Sequence, residues 1–385
     1  MKPSPGTDMK ERATLANWRI APHNRWAFHH VRELIPSADI ANDPRRIRDL
    51  PAEKSEIDIR VEPDSGEPLS FERFLAETDT DGLVILRRGR IVAEHYGNGT
   101  TDETPHILMS VSKSMLGLLV GRLDIDVERP VTDFLPELRA TAYQGASIRH
   151  LLDMRAGVAF AEDYLATSGP IVDYRKATGW NPLGPGETPS DLRAFYSVLK
   201  QKDGPHWGRF HYISPNTDLL GLVIEAATGR RYAELMSEKI WKPIGAERSA
   251  YVTVDRYGAS RTAGGMCVTA RDLARVGQWM IENPSPWIED IEKKGDRKAW
   301  DAGSFVPYYP GLPMKYRSKW YVLEAGKGEK AAPLMFGMGI HGQNLFVDRA
   351  NQIVIAKLSS QAMPLDAPRI ALTMRAVSEL RKHLS

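Results

Sequence analysis

The amino-acid sequence predicts an α+β protein in which strand patterns near both chain ends enclose a long helical segment. Two strand patterns joined by a short turn lie before residue 100, helical patterns fill residues 110–245, and strand patterns return before a C-terminal helix. This order favours a sheet domain built from both chain ends with a helical insertion between them. We therefore expect a discontinuous sheet domain from residues 1–109 and 246–385 and a helical domain from residues 110–245.

The first strand pair is predicted on either side of Arg87-Arg88-Gly89. An apolar run precedes this turn at residues 82–86, and a second run follows at residues 90–95. A short connection that contains glycine between two such runs is typical of a β-hairpin. Residues 1 to about 78 are rich in proline, arginine and acidic residues, and we expect them to form an extended segment with short helices.

Helices are predicted in the middle of the chain by polar residues at their starts and glycines at their ends. Serine, threonine, asparagine and aspartate cap helix N-termini, and glycine is common just past the C-terminus. These patterns predict helices that begin at Ser110 and near Thr188, and helices over residues 147–154, 219–228 and 232–240.

The C-terminal third returns to strand patterns. A tight backbone segment at Ala263-Gly264-Gly265-Met266 precedes a predicted helix over residues 269–277. Residues 284–318 are rich in proline, glycine and aromatic residues and are expected to be irregular. Strands are predicted at residues 320–323, 344–347 and 352–358, followed by an amphipathic helix over residues 368–383.

Composition excludes several classes of protein. The 385 residues are 42% hydrophobic and 26% charged, which is ordinary for a globular protein with a large core. The 51 basic and 49 acidic residues give a net charge of +2 without a basic block, so nucleic-acid binding is not expected. Cys267 is the single cysteine, which predicts no intramolecular disulfide and a reducing compartment. With no apolar leader or membrane span in the sequence, we expect a cytoplasmic protein and no membrane partner.

Ser110-Val111-Ser112-Lys113 is the most informative motif. A serine and a lysine three residues apart share one face of a helix. At the helix start, free N–H groups can hold an oxyanion, and the positive end of the helix dipole disfavours a charged lysine. A neutral lysine amine can then act as the base that takes the proton of the serine hydroxyl, which makes the serine a nucleophile. A second copy, Ser197-Val198-Leu199-Lys200, follows a helical pattern and is interpreted as structural only.

Two further clusters accompany Ser110. In His211-Tyr212-Ile213-Ser214, a tyrosine and a serine precede a helix, and a phenol held near a lysine can carry protons. In Gly339-Ile340-His341-Gly342-Gln343-Asn344, glycines that permit close backbone approach precede a strand pattern.

Together, in this order, the three clusters resemble the penicilloyl serine transferase superfamily of class C β-lactamases, DD-peptidases, esterases and 6-aminohexanoate-dimer hydrolases. The resemblance implies the β-lactamase/DD-peptidase-like fold, which is an antiparallel sheet flanked by helices plus an all-helical lobe, with the site between them. It implies that Ser110 is acylated and that Lys113 and Tyr212 form the proton-transfer pair. The N–H of Ser110 and that of Gln343 or Asn344 would form the oxyanion hole. Which of Lys113 and Tyr212 is the immediate base stays open.

The sequence departs from the lactam-recognising pattern. Ser214 replaces the usual asparagine, and His341-Gly342-Gln343 replaces Lys-Thr-Gly. Losing that lysine and threonine argues against efficient β-lactam hydrolysis, so the chain looks most like the esterase and 6-aminohexanoate-dimer hydrolase branch. In that branch a tyrosine and a tryptophan close over the substrate, and the resemblance makes Tyr174 and Trp320 candidates for these places.

Competing chemistries lack their motifs. The chain has no Gly-x-Ser-x-Gly elbow, no His-Glu-x-x-His pair and no phosphate-binding glycine loop, so we expect neither a metal nor a cofactor. The first hypothesis is a serine hydrolase of small esters or linear amides. The alternatives are a β-lactamase-like enzyme of low β-lactam activity and a binding or sensor module that does not turn over. The oligomeric state cannot be derived from the sequence.

Overall fold

The computed structural model describes residues 12–326 and 332–385. Residues 1–11, where the sequence shows no apolar leader, lie outside the described part of the chain. Within the described part, every helix is too short or too polar to cross a bilayer.

The described residues form strands of two to eight residues, numbered in chain order. They are β1 Ser37–Ile40, β2 Arg60–Val61, β3 Leu69–Ser70, β4 Thr80–Arg87, β5 Arg90–Tyr96, β6 His106–Ile107, β7 Ala250–Thr253, β8 Met266–Val268, β9 Met314–Arg317, β10 Trp320–Leu323, β11 Leu334–Gly339, β12 Gln343–Asp348 and β13 Ile353–Ser359.

The α-helices are numbered in the same way. They are α1 Asn24–Ala27, α2 Phe71–Glu77, α3 Val111–Val120, α4 Ile148–Leu152, α5 Pro170–Ala177, α6 Leu192–Phe195, α7 Pro215–Thr228, α8 Tyr232–Met236, α9 Ala270–Glu282, α10 Pro286–Lys294, α11 Arg297–Asp301 and α12 Ala367–Leu384.

The main sheet has seven antiparallel strands in the order β5-β4-β13-β12-β11-β10-β9. Strands β4 and β5 form the predicted hairpin, and β13 from the C-terminal region pairs with β4 from the N-terminal region. A smaller sheet has the order β1-β7-β8-β6. The α+β class predicted from the element order is confirmed.

The main sheet separates two apolar cores because side chains alternate across a strand. Val84 and Leu86 of β4 pack in the core that contains α3, α9 and the helices between residues 110 and 245. Leu83 and Ile85 face the opposite core, which contains α2 and α12. Since both faces of the central strands are covered, β4 and β13 are buried along almost their whole length.

The sequence interpretation is wrong in three places. Residues 284–318 are not irregular, because they contain α10, α11 and β9. Helix α7 starts at Pro215 rather than Leu219, since proline suits the first helical position. Strand β11 was not predicted, because Gly337 and Gly339 lower its strand propensity.

Those two glycines let β11 lie directly against α3. A Cβ atom added to Gly337 would stand 2.8 Å from Ser114 Oγ, and one added to Gly339 would stand 2.8 Å from Ser110 N. Larger residues at these positions would push the strand away from the start of α3. The close contact therefore places the end of β11 beside Ser110.

Candidate active site

Ser110 is the N-cap residue of α3, as the sequence predicts. All residues of α3 are buried, so core packing fixes the direction of its first turn. Met109, just before it, has a left-handed backbone with φ of 45°, which is costly for a residue with a side chain. Such strain is common at functional sites.

The second Ser-x-x-Lys copy does not lie at the start of a buried helix. Ser197 lies in a short 3₁₀ helix over Tyr196–Val198, is exposed, and donates its hydroxyl to the Ala194 carbonyl at 2.8 Å. Lys200 is exposed to solvent. The copy is a surface feature.

Lys113 lies in the first turn of α3 with only 1% of its surface exposed. Its Nζ is 2.7 Å from Ser110 Oγ, 3.1 Å from Ser214 Oγ and 2.7 Å from the Ala263 carbonyl oxygen. Burial lowers the pKa of Lys113 to about 7, while the nearby carboxylate of Glu162 opposes this shift. A neutral amine at this position can accept the proton of the Ser110 hydroxyl.

Tyr212 is buried in the opposite core, and its ring centroid is 5.0 Å from Lys113 Nζ. Its hydroxyl lies near the hydroxyls of Ser110 and Tyr321. Burial raises the pKa of Tyr212 above its ordinary value, and the neighbouring Ser110 hydroxyl only partly opposes this. Phe305 packs against the ring with centroids 4.6 Å apart, which holds the phenol in place.

Ser214 links Lys113 to a carboxylate that the sequence analysis missed. Its backbone N–H donates to Glu162 at 2.8 Å, and its hydroxyl donates to the other oxygen of the same carboxylate. Because that hydroxyl also accepts from Lys113, Ser110, Lys113, Ser214 and Glu162 form one hydrogen-bonded chain.

Tyr174 lies near this chain, but its hydroxyl is already engaged. It donates to Asp218, which also accepts from Arg261 and, at 2.7 Å, from the backbone N–H of Ala263. The Ala263 carbonyl in turn accepts from Lys113. By holding the Ala263 backbone, the Asp218 carboxylate therefore fixes the position of one of the three hydrogen-bond acceptors of Lys113.

A cavity opens beside Ser110 between the sheet and the helical lobe. Three of the predicted site residues, Ser110, Ser214 and Tyr174, line it. None of the other residues that line it was predicted as a site residue. They are Arg19, Met109, Glu162, Tyr164, Ile171, Arg175, Trp180, Arg261, Ala263, Gly264 and Ile340.

The residues of the predicted His341-Gly342-Gln343-Asn344 element do not line this cavity. His341 Nδ1 donates to the Gln361 carbonyl at 2.7 Å, and burial lowers the pKa of His341 to about 4. The Gln343 amide bonds to both backbone groups of Ser359 on β13. Asn344 turns back to the Gly342 carbonyl. These side chains hold the β11–β12 connection, and the residue that lines the cavity is Ile340, just before them.

Trp320 also differs from its predicted place. It is fully buried in the core between α3 and the sheet and is not among the residues that line the cavity. A side chain without solvent exposure on either face cannot close over a substrate, so the structure corrects this expectation.

The missed residues share one property, which is that no local pattern marks them. Glu162 and Tyr164 lie in a loop between α4 and α5, and Arg19 lies in the N-terminal segment. The resemblance suggested a substrate-facing tyrosine in the helical lobe, and the sequence analysis named only Tyr174, although Tyr164 lies ten positions before it.

Comparisons with known proteins agree with this geometry. Residues 71–378 match the family model described as Beta-lactamase. The chain is 36% identical over 364 residues to 6-aminohexanoate-dimer hydrolase of Paenarthrobacter ureafaciens, covering 91% of this chain and 89% of that protein. It is 25% identical over 338 residues to esterase EstB of Burkholderia gladioli, covering 73% and 84%.

A solved structure from Bacillus anthracis, described as a presumed 6-aminohexanoate-dimer hydrolase, superposes with a TM-score of 0.85 at 26% identity. The superposition covers 98% of this chain and 99% of the Bacillus anthracis chain. The predicted resemblance and the β-lactamase/DD-peptidase-like fold are thus confirmed. The chain belongs to the beta-lactamase family and is a serine hydrolase that acts on amides or esters.

Proposed function

We propose that the enzyme cleaves linear amides of the 6-aminohexanoate type, and small esters, through an acyl-enzyme on Ser110. One observation carries this proposal: the buried amine of Lys113, with a pKa of about 7, lies 2.7 Å from the Ser110 hydroxyl. At neutral pH a large fraction of this amine is uncharged and able to accept a proton.

Lys113 is the base in this mechanism and Tyr212 is the acid. The Ser110 proton moves to Lys113 Nζ as Oγ attacks the carbonyl carbon. Because burial raises the pKa of Tyr212, its phenol stays protonated at neutral pH. The phenol lies near Ser110 and so can reach the leaving nitrogen or oxygen, to which it donates a proton. Water then attacks the acyl-enzyme and gives a proton to the Tyr212 phenolate, while the Lys113 ammonium returns its proton to Ser110 Oγ as the acyl group leaves. Both groups are thereby restored to their starting state.

The backbone N–H groups of Ser110 and Ile340 form the oxyanion hole in this proposal. Gly339 allows the end of β11 to approach Ser110 N closely, and Ile340 lines the cavity. This pair replaces the expected Gln343 or Asn344, whose side chains stabilise the neighbouring strand. Two backbone donors at the start of a helix and the end of a strand suit a developing oxyanion.

The substrate class is supported by the relatives and by the cavity. The two named relatives are a 6-aminohexanoate-dimer hydrolase and an esterase. His341 and Gln343, which stand where lactam-recognising members have lysine and glycine, make hydrogen bonds to backbone groups away from the cavity. The site therefore lacks the lysine that would hold a lactam carboxylate in those members.

A substrate panel tests the proposal. It contains short p-nitrophenyl esters, the linear dimer of 6-aminohexanoate and one chromogenic cephalosporin, assayed with wild type, Ser110→Ala and Ser197→Ala. We expect turnover of the esters and the dimer, loss of at least about 1000-fold in kcat for Ser110→Ala, and no change for the exposed Ser197→Ala control. A fluorophosphonate should add its mass to Ser110 only.

Three results would contradict the proposal. If Ser110→Ala turned over substrate as fast as wild type, Ser110 would be excluded as the nucleophile. Faster hydrolysis of the cephalosporin than of the esters and the dimer would favour a β-lactamase. A single burst of product without further turnover would favour a sensor module.

A further inference from the structure

The N-terminal segment contributes an arginine to the candidate active site. Trp18 is buried, donates its indole N–H to the Trp180 carbonyl at 3.1 Å, and packs edge-on against the Trp180 ring at 5.0 Å. This anchor brings the neighbouring Arg19 to the wall of the Ser110 cavity. Arg19 lies before residue 71, where the match to the family model begins.

Arg19 has no carboxylate partner among residues 12–326 and 332–385. Its Nη2 donates to the Asn181 side-chain oxygen at 2.6 Å, whereas its Nε is buried without a hydrogen-bond partner in the same part of the chain. Burial and the neighbouring Arg175 and Arg261 lower the pKa of Arg19 to about 9. The guanidinium is half-buried and has no anion beside it among the described residues, so this position favours a ligand that supplies one.

The other charged groups around the cavity make more hydrogen bonds to the protein. Arg261 pairs with Asp218. Arg175 donates to the backbone carbonyls of residues 163, 164 and 166. The Glu162 carboxylate is held by both donors of Ser214. Among the described residues, Arg19 is thus the cavity arginine with the fewest hydrogen bonds, a single one to Asn181.

We propose that Arg19 binds a carboxylate of the substrate and thereby makes the enzyme prefer amides and esters that carry one. This inference rests on the proposed acyl transfer at Ser110. The planar guanidinium offers more than one N–H to the same anion, which favours a carboxylate over a neutral polar group.

Paired substrates test the preference and locate the carboxylate. In one arm, p-nitrophenyl half-esters of dicarboxylic acids from adipate to suberate are compared with their methyl-capped diesters. In the other arm, hexanoyl amides of 6-aminohexanoate are compared with the same amides of its methyl ester. The enzymes are wild type, Arg19→Gln, Asn181→Asp and Arg45→Gln, the last being a surface arginine whose side chain is 89% exposed.

In at least one arm, wild type should prefer the carboxylate by about tenfold or more in kcat/KM. Arg19→Gln should lose this preference through KM while turning over the neutral partner within about twofold of wild type, which also shows that the variant folds. Asn181→Asp should weaken the preference with Arg19 still present, because an aspartate there neutralises the guanidinium. Arg45→Gln should behave as wild type.

Equal kcat/KM for charged and neutral partners in both arms would overturn the role of Arg19, as would a preference that survives in Arg19→Gln. An equal loss on both partners would show a structural role only and would also overturn it. If no ester or amide is turned over, or if Ser110→Ala is as active as wild type, the proposed acyl transfer fails instead.

Discussion

Lys113 and Lys357 are both buried lysines next to a serine hydroxyl. Lys113 Nζ is 2.7 Å from Ser110 Oγ, and Lys357 Nζ is 2.5 Å from Ser359 Oγ. Burial lowers the pKa of each lysine to about 7. By distance and by pKa alone, the two pairs are nearly equivalent.

Their surroundings differ. Ser110 begins a helix, borders a cavity and lies near the Tyr212 hydroxyl. Ser359 ends β13 with no solvent exposure, and both of its backbone groups are bonded to Gln343. A lowered lysine pKa therefore follows from burial anywhere in the fold. A nucleophile also needs access, donors for the oxyanion and an acid for the leaving group.

The largest difference between the two serine–lysine pairs should appear in kcat when the amine of Lys113 or that of Lys357 is removed. We expect Lys113→Met to lower kcat by about 1000-fold, because the general base is lost. Lys357→Met should leave kcat within about twofold of wild type. Steady-state kinetics on a p-nitrophenyl ester measure both. A comparable loss in the two variants would mean that the lysines act through stability rather than chemistry.

Removing the acid should have the next largest effect. Tyr212→Phe keeps the ring and its contact with Phe305 but deletes the hydroxyl beside Ser110. We expect about a 100-fold lower kcat on an amide and a smaller loss on an ester with a good leaving group, which needs less protonation. Tyr309→Phe, a buried tyrosine of the same aromatic cluster, is the matched control. Equal losses on both substrates would contradict an acid role.

The pH dependence sharpens the role of Lys113. Only its neutral form accepts a proton, so kcat/KM should rise with pH through a limb near pH 7 and then level off. Glu162 opposes the lowering of this pKa, so Glu162→Gln should move the limb to lower pH. Stopped-flow or steady-state rates from about pH 5 to 9 test this. If the limb does not move in Glu162→Gln, or moves to higher pH, the predicted effect of Glu162 on the pKa of Lys113 is excluded.

The smallest effect concerns stability. Both lysines have a lower pKa when folded than the value of about 10.4 expected in the unfolded chain. Between about pH 7 and 10 the unfolded state binds more protons, so the free energy of unfolding should rise with pH in this window. Lys357→Met should reduce that slope and stabilise the protein by about 1–4 kcal/mol at pH 7. Urea unfolding at several pH values measures both, and an unchanged slope would contradict the prediction.

Much of the fold and part of the site follow from local patterns. The hairpin β4–β5, the helix start at Ser110 and helix α9 were predictable because turn residues, caps and apolar periodicity lie within a few positions of one another. Strand β11 was not, because its glycines serve contact with α3 rather than strand propensity. Without β11, the sequence analysis placed the expected oxyanion donor at Gln343 or Asn344, whereas we propose Ile340.

The sequence by itself determined the order of Ser110, Lys113, Tyr212 and Ser214, and with it the family and the class of reaction. Only the tertiary structure decided which residues complete the cavity. Glu162 lies 52 positions from Ser214, and Trp18, which anchors Arg19, lies 162 positions from Trp180. Contacts at such separations leave no periodic trace in the sequence, because they depend on where the packed helices and the sheet bring distant segments together.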